Sequence, residues 1–312
     1  MIFRVMAKLL ANRAVRVPRR PLGPFRTDVS IYDTAPPSGL RITWIGHSSS
    51  LVEIDGVRIL IDPVWDERAS PLQWAGPKRF FAPPLKLEEL PRLDAVLISH
   101  DHYDHLGAGT VERLQQLQPA VRWVTSLDVG TELRQMGVPA GRITELDWTD
   151  SAKIIGELGT VCTITSLPSR HFSGRSTFNR FETLWASFVL RGAKHNVYYG
   201  ADSGWWEGFA EIGAAYGPFD LTMLEIGAYN ELWHQIHLGP DNAARAFRDL
   251  GGAGLLMPIH WGLFNLALHA WEQPIERTRE LADAQGLKLW QPEPGRPTDV
   301  VAGVEVRSDW WR

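Results

Sequence analysis

The chain has 312 residues, 44% of them hydrophobic and 22% charged, which is enough apolar material to bury a large core. Its formal net charge of −4 offers no basic field of the kind that holds nucleic acid, so nucleic acid is not an expected partner. The single cysteine, Cys162, rules out an intrachain disulfide and a thiolate zinc site. It fits a reducing compartment, and a cytoplasmic location is the expectation.

Residues 1–26 carry seven Lys or Arg and no acid, with Phe3, Met6, Leu9 and Leu10 at helical spacing. Arg4, Lys8 and Arg13 interrupt each apolar stretch that could form a signal-peptide core. Residues 1–39 therefore read as a basic arm that lies on the fold or touches a membrane surface peripherally, ahead of one catalytic domain over residues 40–312. Pro36-Pro37-Ser38-Gly39 delivers the chain into a strand over 41–46, and strands 51–54 and 57–61 flank Asp55-Gly56, a strong hairpin signal. From Asp62-Pro63 to about residue 93 the chain is rich in Pro and aromatics without a period, which predicts a long ordered loop of functional character.

The apolar run 94–98 predicts a buried strand and 107–118 a helix. Between them, His100-Asp101-His102-Tyr103-Asp104-His105 places three imidazoles and two carboxylates on a strand-to-helix turn, where open α/β sheets carry their chemistry. His100 and His102 can face one cation, Asp104 and His105 a second. Imidazole with carboxylate and no thiolate suits zinc at a site with an open position; Mn2+ or Fe2+ are alternatives. Strands then follow at 121–125, 143–146, 160–167, 184–191, 195–199, 220–226 and 254–258. Helices follow at 127–136, 205–216, 240–250 and 271–285. This alternation predicts an α/β domain with two sheets and outer helices.

Further ligand candidates stand at strand ends: His171 after 160–167, Asp202 after 195–199 and His260 after 254–258. The expected assembly puts His100, His102 and His171 on one metal and Asp104, His105 and His260 on the other. Asp202 bridges them beside a shared hydroxide, because two cations acidify a water and stabilise both attacking and leaving oxygens. His47, in Gly46-His47-Ser48-Ser49, ends the first strand on the same side and is expected to contact ligands or substrate. His195, His234 and His269 occupy no such position and read as structural or surface residues. Fourteen tryptophans, eight of them beyond residue 200, read as core or as an amphipathic rim for an apolar substrate.

These motifs resemble the metallo-β-lactamase superfamily, an αββα sandwich of two mixed sheets flanked by outer helices. Within it, Ile61-Asp62-Pro63-Val64-Trp65, Arg68-Ala69-Ser70-Pro71, Gly76-Pro77-Lys78-Arg79-Phe80, the stretch 94–106, Gly217-Pro218-Phe219-Asp220 and Ile259-His260-Trp261-Gly262 resemble the N-acyl-phosphatidylethanolamine-hydrolysing phospholipase D family. The similarity runs from about residue 40 to 290. It implies two Zn2+ on His100, His102, Asp104, His105, His171, Asp202 and His260, with Asp104 and Asp202 central to catalysis. It further implies that Asp62 orients the ligands, that His237 lies near the reacting phosphate, and that the substrate is a small molecule or phospholipid cleaved at a phosphodiester. Phe178-Asn179-Arg180-Phe181 departs from the acidic-basic-Asn pattern expected after His171, which changes the head-group contacts. Two other readings use the same fold: a lactonase of the ascorbate-6-phosphate lactonase type, and a non-enzymatic binding protein. Self-association is left open by the sequence.

Overall fold

The computed structural model describes residues 14–176 and 179–312. Phe3, Met6, Leu9 and Leu10 of the basic segment, and Phe178, lie outside the described residues. The first sheet contains β1 (Leu40–Gly46), β2 (Ser49–Ile54), β3 (Val57–Ile61), β4 (Ala95–Ile98), β5 (Arg122–Ser126) and β6 (Ile143–Leu146), side by side in chain order. The first three strands pair antiparallel and the rest pair parallel. Asp55 and Gly56 both adopt positive φ, at 48° and 85°, and close Ile54 onto Val57. That is the backbone a two-residue hairpin needs to match strand twist.

The second sheet contains β7 (Ser151–Ile155), β8 (Val161–Leu167), β9 (Ser187–Arg191), β10 (Asn196–Tyr199), β11 (Leu221–Glu225) and β12 (Leu255–Ile259). Antiparallel pairs run from β7 to β10, and β10 to β12 are parallel. Parallel neighbours need crossovers. These are α1 (Ala108–Leu117) and α2 (Val129–Gln135) in the first half, and α3 (Gly208–Tyr216) and α4 (Gly239–Asp249) in the second; α5 (Gln273–Gln285) follows β12. Short strands β13 (Trp290–Gln291), β14 (Thr298–Asp299) and β15 (Val306–Arg307) complete the chain, with β14 added beside β1.

Period-2 alternation sorts the first sheet into two faces. Leu40, Ile42, Trp44, Ile59, Ile61 and Leu97 point into a core shared with Ile164, Phe188, Val197, Leu221 and Met223 of the second sheet. Their neighbours Ile45, Leu60, Val96 and Ile98 point outward onto Val111 and Leu114 of α1 and Val129 and Leu133 of α2. The second sheet is covered by Phe209 and Ile212 of α3, Phe247 of α4 and Ile275 of α5. Two mixed sheets with outer helices are therefore the architecture that the motifs imply.

Differences from the sequence reading have local causes. Strand β7 went unpredicted because Ile154 is its only buried residue, so it carries no hydrophobic alternation. The strand expected from 184 begins at Ser187, since Leu184 instead donates its amide to Leu127 of the β5–α2 turn. Residues 14–39 lie on the domain, with Leu22 and Tyr32 buried and the Trp271 amide bonded to the Val15 carbonyl. Several late tryptophans are packing groups: Trp44 stacks on Trp261 at 5.5 Å, Trp261 meets Trp311 edge-on at 5.4 Å, and Trp205 lies under Arg245 while donating to Asp249. No helix among the described residues is long and apolar enough to cross a membrane. Phe188 is fully buried between the sheets. Phe188→Ala is expected to cost about 3–5 kcal/mol through lost transfer energy and an unfilled cavity, read as a lower denaturant midpoint at unchanged slope.

Candidate active site

The site is assembled at the edge where β1, β3, β4, β10, β11 and β12 end. Four residues just past strands hold positive φ without being glycine: His47 (55°) after β1, Asp62 (39°) after β3, Ala201 (48°) before Asp202, and His260 (60°) after β12. Each such backbone costs on the order of 1–3 kcal/mol and persists only where its surroundings over-determine it. Here the His260 amide donates to the His47 carbonyl at 3.0 Å, which ties two of these turns together across the two sheets.

Two clusters result. In one, His100 Nε2 and His171 Nε2 approach His102 Nδ1 at 2.9 and 3.2 Å, with Asp202 Oδ2 at 3.9 Å from His100 and 3.5 Å from His171. In the other, Asp104 Oδ2 lies 3.0 Å from His47 Nε2 and 3.2 Å from His260 Nε2, and 3.7 Å from His105 Nε2. Asp202 joins them: Oδ1 is 3.2 Å from His105 and Oδ2 3.1 Å from His260. The ligand atoms of each cluster lie within 4.8 Å of one another. The turn motif, the three strand-end residues and His47 therefore converge, and His47 sits against Asp104 as closely as the ligand candidates do.

The backs of the rings are tied down. Asp62 is fully buried and accepts the Ser99 amide (2.7 Å), the Ser99 hydroxyl (2.5 Å), the His105 Nδ1–H (2.6 Å) and the Tyr199 hydroxyl. Ser99 in turn accepts from His100 Nδ1 at 2.9 Å, and His171 Nδ1 donates to the Ile236 carbonyl at 2.8 Å. These partners hold the rings so that Nε2 of His100, His105 and His171 faces the centre. Asp101 accepts the Gly174 amide and the Thr183 hydroxyl, tying both residues to the ligand turn.

A further buried carboxylate, Glu225, ends β11 and reaches His237 Nδ1 at 2.7 Å. Sequence reading missed it, although it obeys the strand-end rule that found His171, Asp202 and His260. His195 bonds Asp55 of the β2–β3 hairpin, His234 is exposed and His269 stacks on Tyr229.

A family model described as the beta-lactamase superfamily domain matches residues 57–261. The chain belongs to the metallo-β-lactamase superfamily. An uncharacterized protein of Mycobacterium tuberculosis is 47% identical over 277 residues, 88% of this chain and 72% of that one. The N-acyl-phosphatidylethanolamine-hydrolyzing phospholipase D 1 of Caenorhabditis elegans is 37% identical over 255 residues, 80% of this chain and 71% of that one. Among solved structures, an isothiocyanate hydrolase from Delia radicum gut bacteria shares the fold at 21% identity and a TM-score of 0.65, over 84% of this chain and 100% of that one. As a metallo-β-lactamase superfamily member with these relatives, the protein is a metallo-hydrolase.

The donor set of this superfamily member fits cations. Burial pushes His47 down to about 3, and burial with the neighbouring rings holds His100 well below the ordinary imidazole range. Burial also carries His171 well below that range, against the pull of Asp202. Around His105, burial is outweighed by Asp202, Asp104 and Asp62, which lift it well above the usual range; Asp202 and Asp104 likewise overcome burial to lift His260 to about 10. Asp104 and Asp202 are held well below the carboxylate range because His105 and His260 outweigh their burial. Without metal, the two carboxylates thus draw positive charge onto His105 and His260. His105 Nε2 and Asp202 Oδ1 are buried and make no hydrogen bond, which is the arrangement divalent cations satisfy. Asp62→Asn replaces the oxygen that Ser99, His105 and Tyr199 share with an NH2 group and is expected to weaken metal binding about 10–100-fold in chelator competition, with the native circular dichroism retained.

Proposed function

We propose that this protein is a dinuclear, zinc-dependent phosphodiesterase that cleaves N-acyl-phosphatidylethanolamine-like phospholipids in the manner of a phospholipase D. The observation that carries the reading is the 37% identity to the nematode phospholipase over 80% of this chain, in a protein that brings His47, His100, His102, Asp104, His105, His171, Asp202 and His260 together. His100, His102 and His171 would hold one cation and Asp104, His105 and His260 the other, with Asp202 between them. Zinc suits this all-nitrogen-and-oxygen set with an open position; Mn2+ or Fe2+ would find the same donors. When bound, two cations supply the charge that binds a phosphodiester anion and the acidity that makes water a nucleophile near neutral pH.

The chain's own residues do the rest. Asp104 and Asp202 are held ionised among the rings and supply the charge that a bound cation would balance in place of the protons on His105 and His260. Asp62 and Ser99 hold the rings of His100 and His105 so that no reorganisation is needed as charge develops. His237 stands beside Asp202, its Nδ1 3.9 Å from Oδ2, and is placed to exchange a proton or a hydrogen bond with the phosphate or the leaving oxygen. In this reading the protein works in the cytoplasm, and the basic segment 1–20 brings it to anionic bilayers as a peripheral contact.

Elemental analysis of zinc-reconstituted protein is expected to give two equivalents; a folded, active sample with at most one would sink the dinuclear reading. Asp202→Asn is expected to abolish turnover while circular dichroism stays native, because a neutral amide cannot balance two cations. On substrate, the protein is expected to release phosphatidic acid from N-acyl-phosphatidylethanolamine in mixed micelles, and to lose part of that activity when residues 1–20 are removed. If it ignores phosphodiesters and opens sugar-phosphate lactones, the lactonase reading replaces this one.

A further inference from the structure

The stretch 66–80 carries the motifs Arg68-Ala69-Ser70-Pro71 and Gly76-Pro77-Lys78-Arg79-Phe80, yet it supplies no residue to the metal clusters. It forms a braced excursion from the domain. Arg68 and Lys78 pair as an antiparallel bridge, and the Ala69 and Arg79 amides donate to the Pro77 and Glu67 carbonyls at 3.0 Å each. The Arg68 guanidinium donates to the Gln73 and Gly76 carbonyls at 3.2 and 2.6 Å, and Gln73 Nε2 donates back to the Arg68 and Ser70 carbonyls. This frame holds the tip 70–76, which displays Trp74 at 78% exposure and Leu72 at 46%. A lone exposed leucine is ordinary, but a tryptophan presented to water on a braced loop leaves its large apolar area unused inside the domain.

Beside the excursion lies segment 14–21, which contains Arg16, Arg19 and Arg20 and no acid. Residues 17–21 and 76–80 wall an open cleft of about 780 Å³. Arg79 also lines it; this side chain is buried, and its Nη2 makes no hydrogen bond. The two acids of the excursion are already engaged, Glu67 with Lys78 at 2.7 Å and Asp66 with the Gly109 and Thr110 amides at the start of α1. Among the described residues Arg19, Arg20 and Arg79 have no carboxylate partner. The cleft adjoins the metal site, since Asn265 lines it and also lines the small cavity that reaches His260.

We propose that the 66–80 excursion and segment 14–21 form a docking surface for an anionic phospholipid bilayer, in which Trp74 and Leu72 enter the headgroup–acyl boundary and the arginines of the cleft take lipid phosphates. Charge and chemistry select this occupant: a tryptophan beside unpaired guanidiniums matches an apolar layer under an anionic one. The run of cations continues in sequence through Arg4, Lys8 and Arg13. This surface deepens the bilayer contact of the proposed function and rests on that reading for what docking delivers to the metals; docking itself needs no turnover.

The test is sedimentation of the full chain with vesicles of phosphatidylglycerol and phosphatidylcholine in equal parts, and with phosphatidylcholine alone. Binding is expected on the mixed vesicles only and falls as salt is raised. Trp74→Ser is expected to weaken it about ten-fold, and Arg19→Gln or Arg20→Gln about five-fold each. Cys162 is buried and is the only cysteine, so a fluorophore can be placed on Leu72→Cys alone. Its emission is expected to shift to the blue on the mixed vesicles. The same label on Leu158→Cys should stay unshifted, because that exposed residue sits in the β7–β8 turn against the Asp55-Gly56 hairpin, at the end of the sandwich opposite the ligands. Protein that fails to sediment, or that sediments with the Leu72 label unshifted and Trp74→Ser unaffected, overturns the surface. Release by free glycerol phosphate at matched ionic strength assigns the cleft to a soluble phosphate, and a dimer dissolved by Trp74→Ser assigns the tip to a second copy; either also overturns it. Protein that docks through Trp74 but cleaves no phosphodiester supports the surface and overturns the substrate reading, so the two fail separately.

Discussion

The Asp62 carboxylate is the interaction on which the site depends. It is fully buried at the end of β3, and it gathers Ser99 from the end of β4, His105 from the ligand turn and Tyr199 from the end of β10. The first two donors belong to the first sheet's edge and the third to the second sheet, so one side chain joins both halves of the sandwich beneath the ligands. A buried carboxylate is costly unless hydrogen-bonded, which makes this arrangement all-or-none: removing one donor leaves charge uncompensated. The rings above it inherit their orientation from that requirement.

Charge balance then decides what the site can hold. Asp104 and Asp202 sit among the six rings of the two clusters, which burial alone would keep neutral, and the structure resolves the imbalance by drawing positive charge onto His105 and His260. Divalent cations answer the same need with better geometry, because the lone pairs of His100, His102 and His171 already converge on one point. Positive-φ backbone at His47, Asp62, Ala201 and His260 shows where folding energy has been given up to aim these groups.

The two sheets contribute unequally to this chemistry. The first supplies a contiguous turn, in which residues 100 to 105 carry two residues of each cluster. The second supplies single residues at strand ends: Asp202 after β10, and Glu225 and His260, which parallel crossovers bring in beside it. Parallel pairing aligns those ends on one edge, so three residues spread over nearly sixty positions reach the same few ångströms. Asp202 touches both clusters because β10 is where the second sheet changes from antiparallel to parallel pairing.

By itself the sequence determined the alternating elements, the hairpin at Asp55-Gly56, the ligand turn and the strand-end candidates, since periodicity and local motifs are properties of neighbouring residues. It could also name Asp62 and His237, through resemblance to a family. It did not show β7, whose single buried residue leaves no pattern, nor the packing duties of Trp44, Trp205 and Trp261. Only the tertiary structure decided that His47 abuts Asp104, that Asp62 serves four donors at once and that Glu225 backs His237. Those relations join residues 57, 137 and 12 positions apart, and a partner at such distance leaves no trace in local composition; it exists only when both sheets bring their strand ends to one edge.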